Sequence, residues 1–158
     1  MPSHHNHSEE DDKPCRACSD FKSWTKKNKA KIPPSSKPEP PQVENKECPL
    51  DKEELGKSTW GFLHTMASYY PDKPTKSESD NMVKFFNIFS QFYPCEPCAL
   101  DFQEDIKKNP PKTKTREELA KWLCERHNTV NEKLGKPQFD CSKVHERWRD
   151  GWLDGSCD

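Results

Sequence analysis

The stretch from Asn28 to Glu47 decides most of what this chain can fold into. Its twenty residues hold three apolar side chains, Ala30, Ile32 and Val43, and five prolines, Pro33, Pro34, Pro38, Pro40 and Pro41. Proline lacks the backbone N–H that helices and sheets need. So little apolar surface cannot offset the entropy of ordering the segment. It is expected to be an extended, mobile linker. Residues 1–47 carry only nine hydrophobic residues, so any core must come from the other 111. We expect a flexible N-terminal tail over 1–47 and one domain over 48–158, large enough for a modest core.

Charge and hydropathy narrow the class. The 26 basic and 27 acidic side chains nearly cancel, which removes the strong basic field of a nucleic-acid binder. The five lysines between Lys22 and Lys31 read as a solubilising run. No 18-residue apolar stretch is present, so no membrane insertion is expected. The start carries Glu9, Glu10, Asp11 and Asp12 and no apolar stretch, unlike a secretory signal or an Arg-rich transit peptide.

Within the domain the apolar period is helical. Leu55, Thr59, Phe62, Leu63, Met66 and Tyr70 share a face behind an Asp51/Glu54 capping box, with Pro71 as the stop. Thr75 and Glu78 make a second box before Met82, Phe85, Phe86, Phe89 and Phe92, ended by Pro94. A third helix starts near Cys95 and runs through Cys98, Phe102 and Ile106 to Asn109-Pro110-Pro111. Thr115 and Glu118 make a third box before Leu119, Trp122, Leu123, Val130 and Leu134, with Gly135 at C′. A shorter helix, from Ser142 to about Trp152, closes the chain. No strand alternation bounded by turns is present. The expected fold is all-α: a four-helix bundle plus a short fifth helix.

Eight cysteines carry the chemistry. Cys15/Cys18 and Cys95/Cys98 both have C-x-x-C spacing. The second pair follows Pro94 at a predicted helix start, where orphan N–H groups and the helix dipole stabilise a thiolate on the first cysteine. A reactive thiol beside a resolving partner suits thiol–disulfide exchange. The same spacing is also a zinc half-site, but combining the two pairs would span 76 intervening residues that include the linker. Cys124 and Cys141 would pin the fifth helix to the bundle if joined, by about 3 kcal/mol in the chain-entropy model. Cys48 and Cys157 bracket the domain, and could pair within the chain or across a two-fold dimer. Any of these four could also be an inert buried thiol.

A dithiol discharges electrons to dioxygen too slowly alone, so a net oxidising task implies a cofactor or a partner disulfide. Gly56, Trp60 and His64 form a strip at i, i+4, i+8, and His127, Asn128 and Asn131 add polarity to the fourth helix. With no Gly-rich dinucleotide loop, a flavin would sit between helices.

The motifs Lys13-Pro14-Cys15-Arg16-Ala17-Cys18, Glu54-Leu55-Gly56 leading to Trp60 and Leu63-His64-Thr65, and Tyr93-Pro94-Cys95-x-x-Cys98 occur in this order. Trp122-Leu123-Cys124-x-x-His127-Asn128-x-Val130-Asn131 follows, then Phe139-Asp140-Cys141-Ser142-Lys143, Glu146 to Trp152, and Gly155-Ser156-Cys157-Asp158. Together they resemble the Erv/augmenter-of-liver-regeneration family of flavin sulfhydryl oxidases, with the C-terminal end most similar to the animal branch in its long form. The resemblance covers 48–158 and the Cys15/Cys18 motif.

The resemblance implies an FAD-dependent thiol oxidase that makes disulfides in proteins, with FAD held noncovalently at the mouth of the bundle. It implies Cys95 and Cys98 as the active disulfide, Cys95 attacked by incoming thiolate and Cys98 nearer the flavin. Cys15 and Cys18 would be a shuttle pair, acting within or between subunits. Electrons would go on to dioxygen, giving hydrogen peroxide, or to cytochrome c. The implied FAD contacts are Lys52, Glu53, Leu55, Gly56, Lys57, Thr59, Trp60, His64, Tyr93, Cys124, His127, Asn128, Val130, Asn131, Lys133, Leu134, Lys136, Arg147 and Trp148. Cys124–Cys141 would be a structural bridge, and Cys48 and Cys157 would join a homodimer. The implied partner is the import oxidoreductase of the mitochondrial intermembrane space, with the cytosol as the alternative location. The competing functions are a disulfide-linked dimeric signalling or scaffold protein without turnover, and a zinc-binding helical module.

Overall fold

A computed structural model describes residues 48–157; the Cys15/Cys18 pair and the Pro-rich linker lie outside them. Four α-helices follow one another: α1 (Lys52–Ser68), α2 (Lys76–Phe92), α3 (Glu96–Lys108) and α4 (Arg116–Lys133). No strand occurs among the described residues, so the domain is all-α as expected.

The helix boundaries sit where the chain offers its own caps. Asp51 accepts from the N–H groups of Glu53 and Glu54, both at 2.9 Å, while Glu54 reaches back to the Asp51 N–H. Thr75 and Glu78 repeat the reciprocal pattern. Thr115 is half a box: its hydroxyl accepts from the Glu118 N–H at 3.1 Å, and Glu118 returns no bond among those described. At the far end of α4, Gly135 adopts φ of 65°. Its N–H donates to the Glu132 carbonyl and the Lys136 N–H to that of Asn131, the paired closure of a Schellman motif.

The core forms where α1 packs on α4 and α2 on α3. Leu63, Ala67, Tyr70, Phe86, Ile106, Leu119, Ala120, Trp122, Leu123, Cys124 and Val144 make one buried cluster. Three residues of the expected apolar faces are corrected. Leu134, the C-cap of α4, is 55% exposed. Phe62 is 59% exposed and Phe92 78% exposed. Phe62 lies one residue off the stripe of Leu63, Ala67 and Tyr70 that meets α4, and Phe92 is the last residue of its helix.

The fifth helix is real but not regular. Residues 141–150 run as one helical stretch that opens as a 3-10 turn (Cys141–Lys143) and ends as a π turn (Glu146–Asp150). Gly151, at φ of 87°, ends it, two residues before the expected boundary near Trp152. The opening turn packs on α4 and the π turn on α1. Cys124 and Cys141 are joined as a disulfide, with Cα atoms 5.7 Å apart, so the stretch is fastened to the core covalently.

Candidate functional site

α3 begins immediately after Cys95, which is its N-cap residue and contributes no side-chain cap bond. Pro97 lies in the first turn, where a missing N–H costs nothing. Cys95 and Cys98 form a disulfide across that turn, with Cα atoms 5.2 Å apart. Both are half-buried. The pair sits at the N-terminal end of α3, the positive end of the helix dipole.

Cys98 lines a cleft of about 420 Å³ between α1, α2, α3 and α4. Its walls are apolar and aromatic: Trp60, Leu63, Phe89, Tyr93, Phe102 and Val130. Lys52, Thr59, Asp101 and Lys133 add polar groups, and Lys133 is ion-paired to Asp101. A Cβ placed on Gly56 would meet no atom within 4 Å, so a side chain at this lining position would occupy the cleft itself.

A smaller hollow of about 220 Å³ is lined by His64, Cys124, His127, Asn128, Asn131, Phe139, Arg147 and Trp148. Trp60, which lines the cleft, stacks on His127 of the hollow with centroids 4.1 Å apart and planes 4° from parallel. His64 stacks on Trp148 at 4.9 Å and 6°. His64 Nε2 and His127 Nδ1 lie 2.9 Å apart and link the two stacks. The Arg147 guanidinium sits 4.1 Å over the Trp148 ring.

Burial keeps both imidazoles neutral. It pushes His64 down to about 3, helped by His127 and Arg147. It pushes His127 down to about 4, helped by Lys136. Two neutral rings can share one hydrogen bond, one donating and the other accepting; two cations cannot. Asn128 completes the frame: its amide donates to the Phe139 carbonyl and accepts from the Phe139 N–H, both at 2.8 Å. That clamp holds the loop after α4 against the helix.

The expected cofactor contacts fall into two sets and a remainder. Lys52, Gly56, Thr59, Trp60, Tyr93, Val130, Lys133 and Leu134 line the cleft with Cys98. His64, Cys124, His127, Asn128, Asn131, Arg147 and Trp148 line the hollow. Glu53, Leu55, Lys57 and Lys136 line neither. Glu53 and Lys57 each follow a lining residue by one position, a turn of about 100° around the helix. Lys136 instead pairs with Glu53 at 3.3 Å. Cys95 lines neither, and Cys48 and Cys157 are exposed. Phe89 and Phe102, expected in the core, line the cleft. Phe139, expected only as part of a C-terminal motif, lines the hollow. Pro97 and Asp101 are lining residues of the cleft with no sequence expectation. Only Asp101 carried a positional signal, one helical turn beyond Cys98.

An aromatic cleft of this size with a few polar groups suits a planar ring system. The basic and amide groups around the hollow suit the polar remainder of a nucleotide. The donor set therefore fits a flavin dinucleotide. Among the described residues no group of three His, Cys, Asp or Glu is arranged to hold a metal.

Comparison with known proteins gives concordant matches. Residues 57–149 match the model of the Erv1 / Alr family. The mitochondrial FAD-linked sulfhydryl oxidase ERV1 of Saccharomyces cerevisiae is 51% identical over 104 residues, 66% of this chain and 55% of that protein. Its Schizosaccharomyces pombe counterpart is 40% identical over 156 residues, covering 84% of this chain and 85% of the relative. The crystal structure of the yeast Erv1 core superposes with a TM-score of 0.68 at 48% identity, covering 71% of this chain and 95% of that one. The chain spans about half the length of the budding-yeast relative.

Proposed function

This chain belongs to the Erv1 / Alr family, and from that membership we propose that it is an FAD-dependent sulfhydryl oxidase that makes disulfides in proteins. The observation that carries the reading is the position of Cys98: one sulfur of a C-x-x-C disulfide lines an aromatic cleft fit for a flavin ring.

The chain's own chemistry is thiol–disulfide exchange. A substrate thiolate attacks Cys95 Sγ, forming a mixed disulfide and releasing Cys98 as thiolate into the cleft. A second substrate thiolate then attacks the substrate sulfur of that mixed disulfide. The substrate leaves oxidised, and Cys95 and Cys98 hold the electron pair. FAD, when bound, would accept that pair and discharge it to dioxygen or cytochrome c. Trp60, Phe89, Tyr93 and Phe102 exclude water from the Cys98 side of the cleft. The neutral His64–His127 pair and the Asn128 clamp hold the polar end in register.

Several finer readings belong to the same proposal and rest on the sequence motifs. Cys15 and Cys18 act as the shuttle pair between substrate and Cys95/Cys98. Cys48 and Cys157, both exposed, join two copies. The intermembrane space is the proposed location and its import oxidoreductase the proposed partner, supported by the mitochondrial relatives. Kinship to the animal long form rests on the C-terminal motifs; the relatives compared above are fungal.

The purified full chain tests the central claim. It should be yellow, with a flavin absorbance band at one FAD per chain, and should consume oxygen when given dithiothreitol. Colourless protein carrying stoichiometric zinc would overturn it, and flavin without oxygen uptake would favour the scaffold reading.

A further inference from the structure

A third hollow, of about 890 Å³, lies where the end of α3 and loop 109–114 meet α4, and it shares no lining residue with the other two. Five cations line it (Lys108, Lys112, Lys114, Lys121 and Arg126) against two carboxylates, Glu118 and Glu125. The excess is local, since residues 48–158 carry 17 basic and 19 acidic side chains. All four lysines are exposed.

The loop that carries these cations is tied down from inside. The Trp122 indole N–H donates to the Asn109 carbonyl at 3.0 Å, and the Tyr70 hydroxyl to the Thr113 carbonyl at 3.1 Å. The Thr113 and Ser79 hydroxyls are 2.7 Å apart. Two acceptors of the loop are thus consumed by the core, while its lysines are left to solvent. Arg126 is the one partly buried cation of the five. Its Nη1 pairs with Asp105 at 3.0 Å, yet its Nε is buried and has no hydrogen-bond partner among the described residues. That Nε is closed to solvent, so the four exposed lysines, rather than Arg126, carry the charge that a ligand would meet.

We propose that this hollow is a docking site for an acidic polypeptide segment, a run of Asp and Glu side chains on a partner protein. Its lining chooses among anions. Trp122 is 1% exposed, so no aromatic face is presented for a nucleobase to stack on. None of the large exposed apolar residues, from Leu50 to Leu153, lines the hollow, so nothing there would enter a bilayer. Cations spread around a volume this large match several carboxylates along a chain better than one small ion.

The test is fluorescence anisotropy with the full chain and a labelled eight-residue peptide bearing four consecutive carboxylates. Binding should weaken steeply as salt rises, and about tenfold or more in the Lys112→Gln/Lys114→Gln/Lys121→Gln variant. Dithiothreitol oxidation in that variant should be unchanged, which shows that the fold and the redox site are intact. Equal binding of the Asn/Gln version of the peptide would overturn the proposal. So would equal binding by the triple variant, or capture of ATP or phosphatidylserine vesicles with no binding of the acidic peptide.

Discussion

The two disulfides of the described domain sit in opposite surroundings. Cys95–Cys98 spans one helical turn at the start of α3, half-buried beside a cleft. Cys124–Cys141 joins α4 to the last helical stretch, and Cys124 is buried within the core cluster. Loop closure alone separates them modestly, at about 2 kcal/mol for the short loop and about 3 kcal/mol for the long one. Burial and place in the fold widen the gap. Thiolate can reach the first bond, and breaking it leaves the helix in place. At the second, Cys124 is buried in the core cluster and Cys141 half-buried. Breaking that bond removes the covalent tie of the last helical stretch to α4. A disulfide's role is thus set less by the bond than by what surrounds it.

The largest expected effect lies at the first bond. In Cys98→Ser, oxygen uptake with dithiothreitol should fall on the order of a thousandfold or more, while the melting temperature falls less than on loss of the second bond. A melting loss as deep as that of the second bond would erase the distinction between them. Next comes the double variant Cys124→Ala/Cys141→Ala, expected to lose about 3 kcal/mol or more of stability in denaturant titration. Stability within about 1 kcal/mol of the parent would show that the bond is not structural.

A smaller effect comes from acid. His64 and His127 titrate at about 3 and about 4 in the folded chain, against about 6.5 when unfolded. Between those limits the unfolded chain binds protons that the folded chain refuses. Stability therefore rises with pH through that window, and is lost as pH falls from 6.5. At pH 5 the loss from His64 alone is on the order of 2 kcal/mol. Melts at pH 7 and pH 5 should show it, and His64→Asn should shrink the difference. An unchanged pH dependence in that variant would place the acid sensitivity elsewhere.

Much of this was legible beforehand because it is local. Asp51/Glu54 and Thr75/Glu78 announce helix starts through bonds made within four residues, and Gly135 announces a stop through its φ. The C-x-x-C beside Pro94 marks its own helix terminus. What escaped was decided by tertiary partners. Phe62 and Leu63 are neighbours on an apolar helix, and only the position of α4 selects Leu63 for burial. Phe89 and Phe102 fit a core pattern equally well whether they face another helix or a cleft. The strip Gly56, Trp60, His64 looked like one surface. Folding splits it, because the Trp60–His127 stack stands between cleft and hollow.

The π turn at Glu146–Asp150 has a consequence for how this domain tolerates change in length. A π turn carries an additional residue over an α turn. Removing one residue between Val144 and Gly151 while the turn keeps its form would take one position out of the helical path. It would also rotate every later side chain by about 100°. Deleting a residue before Arg147 would swing the guanidinium and the Trp148 ring off His64, with each residue type still present. The register of this stretch is therefore constrained separately from its composition, and a single deletion here should be harder to accommodate than most substitutions.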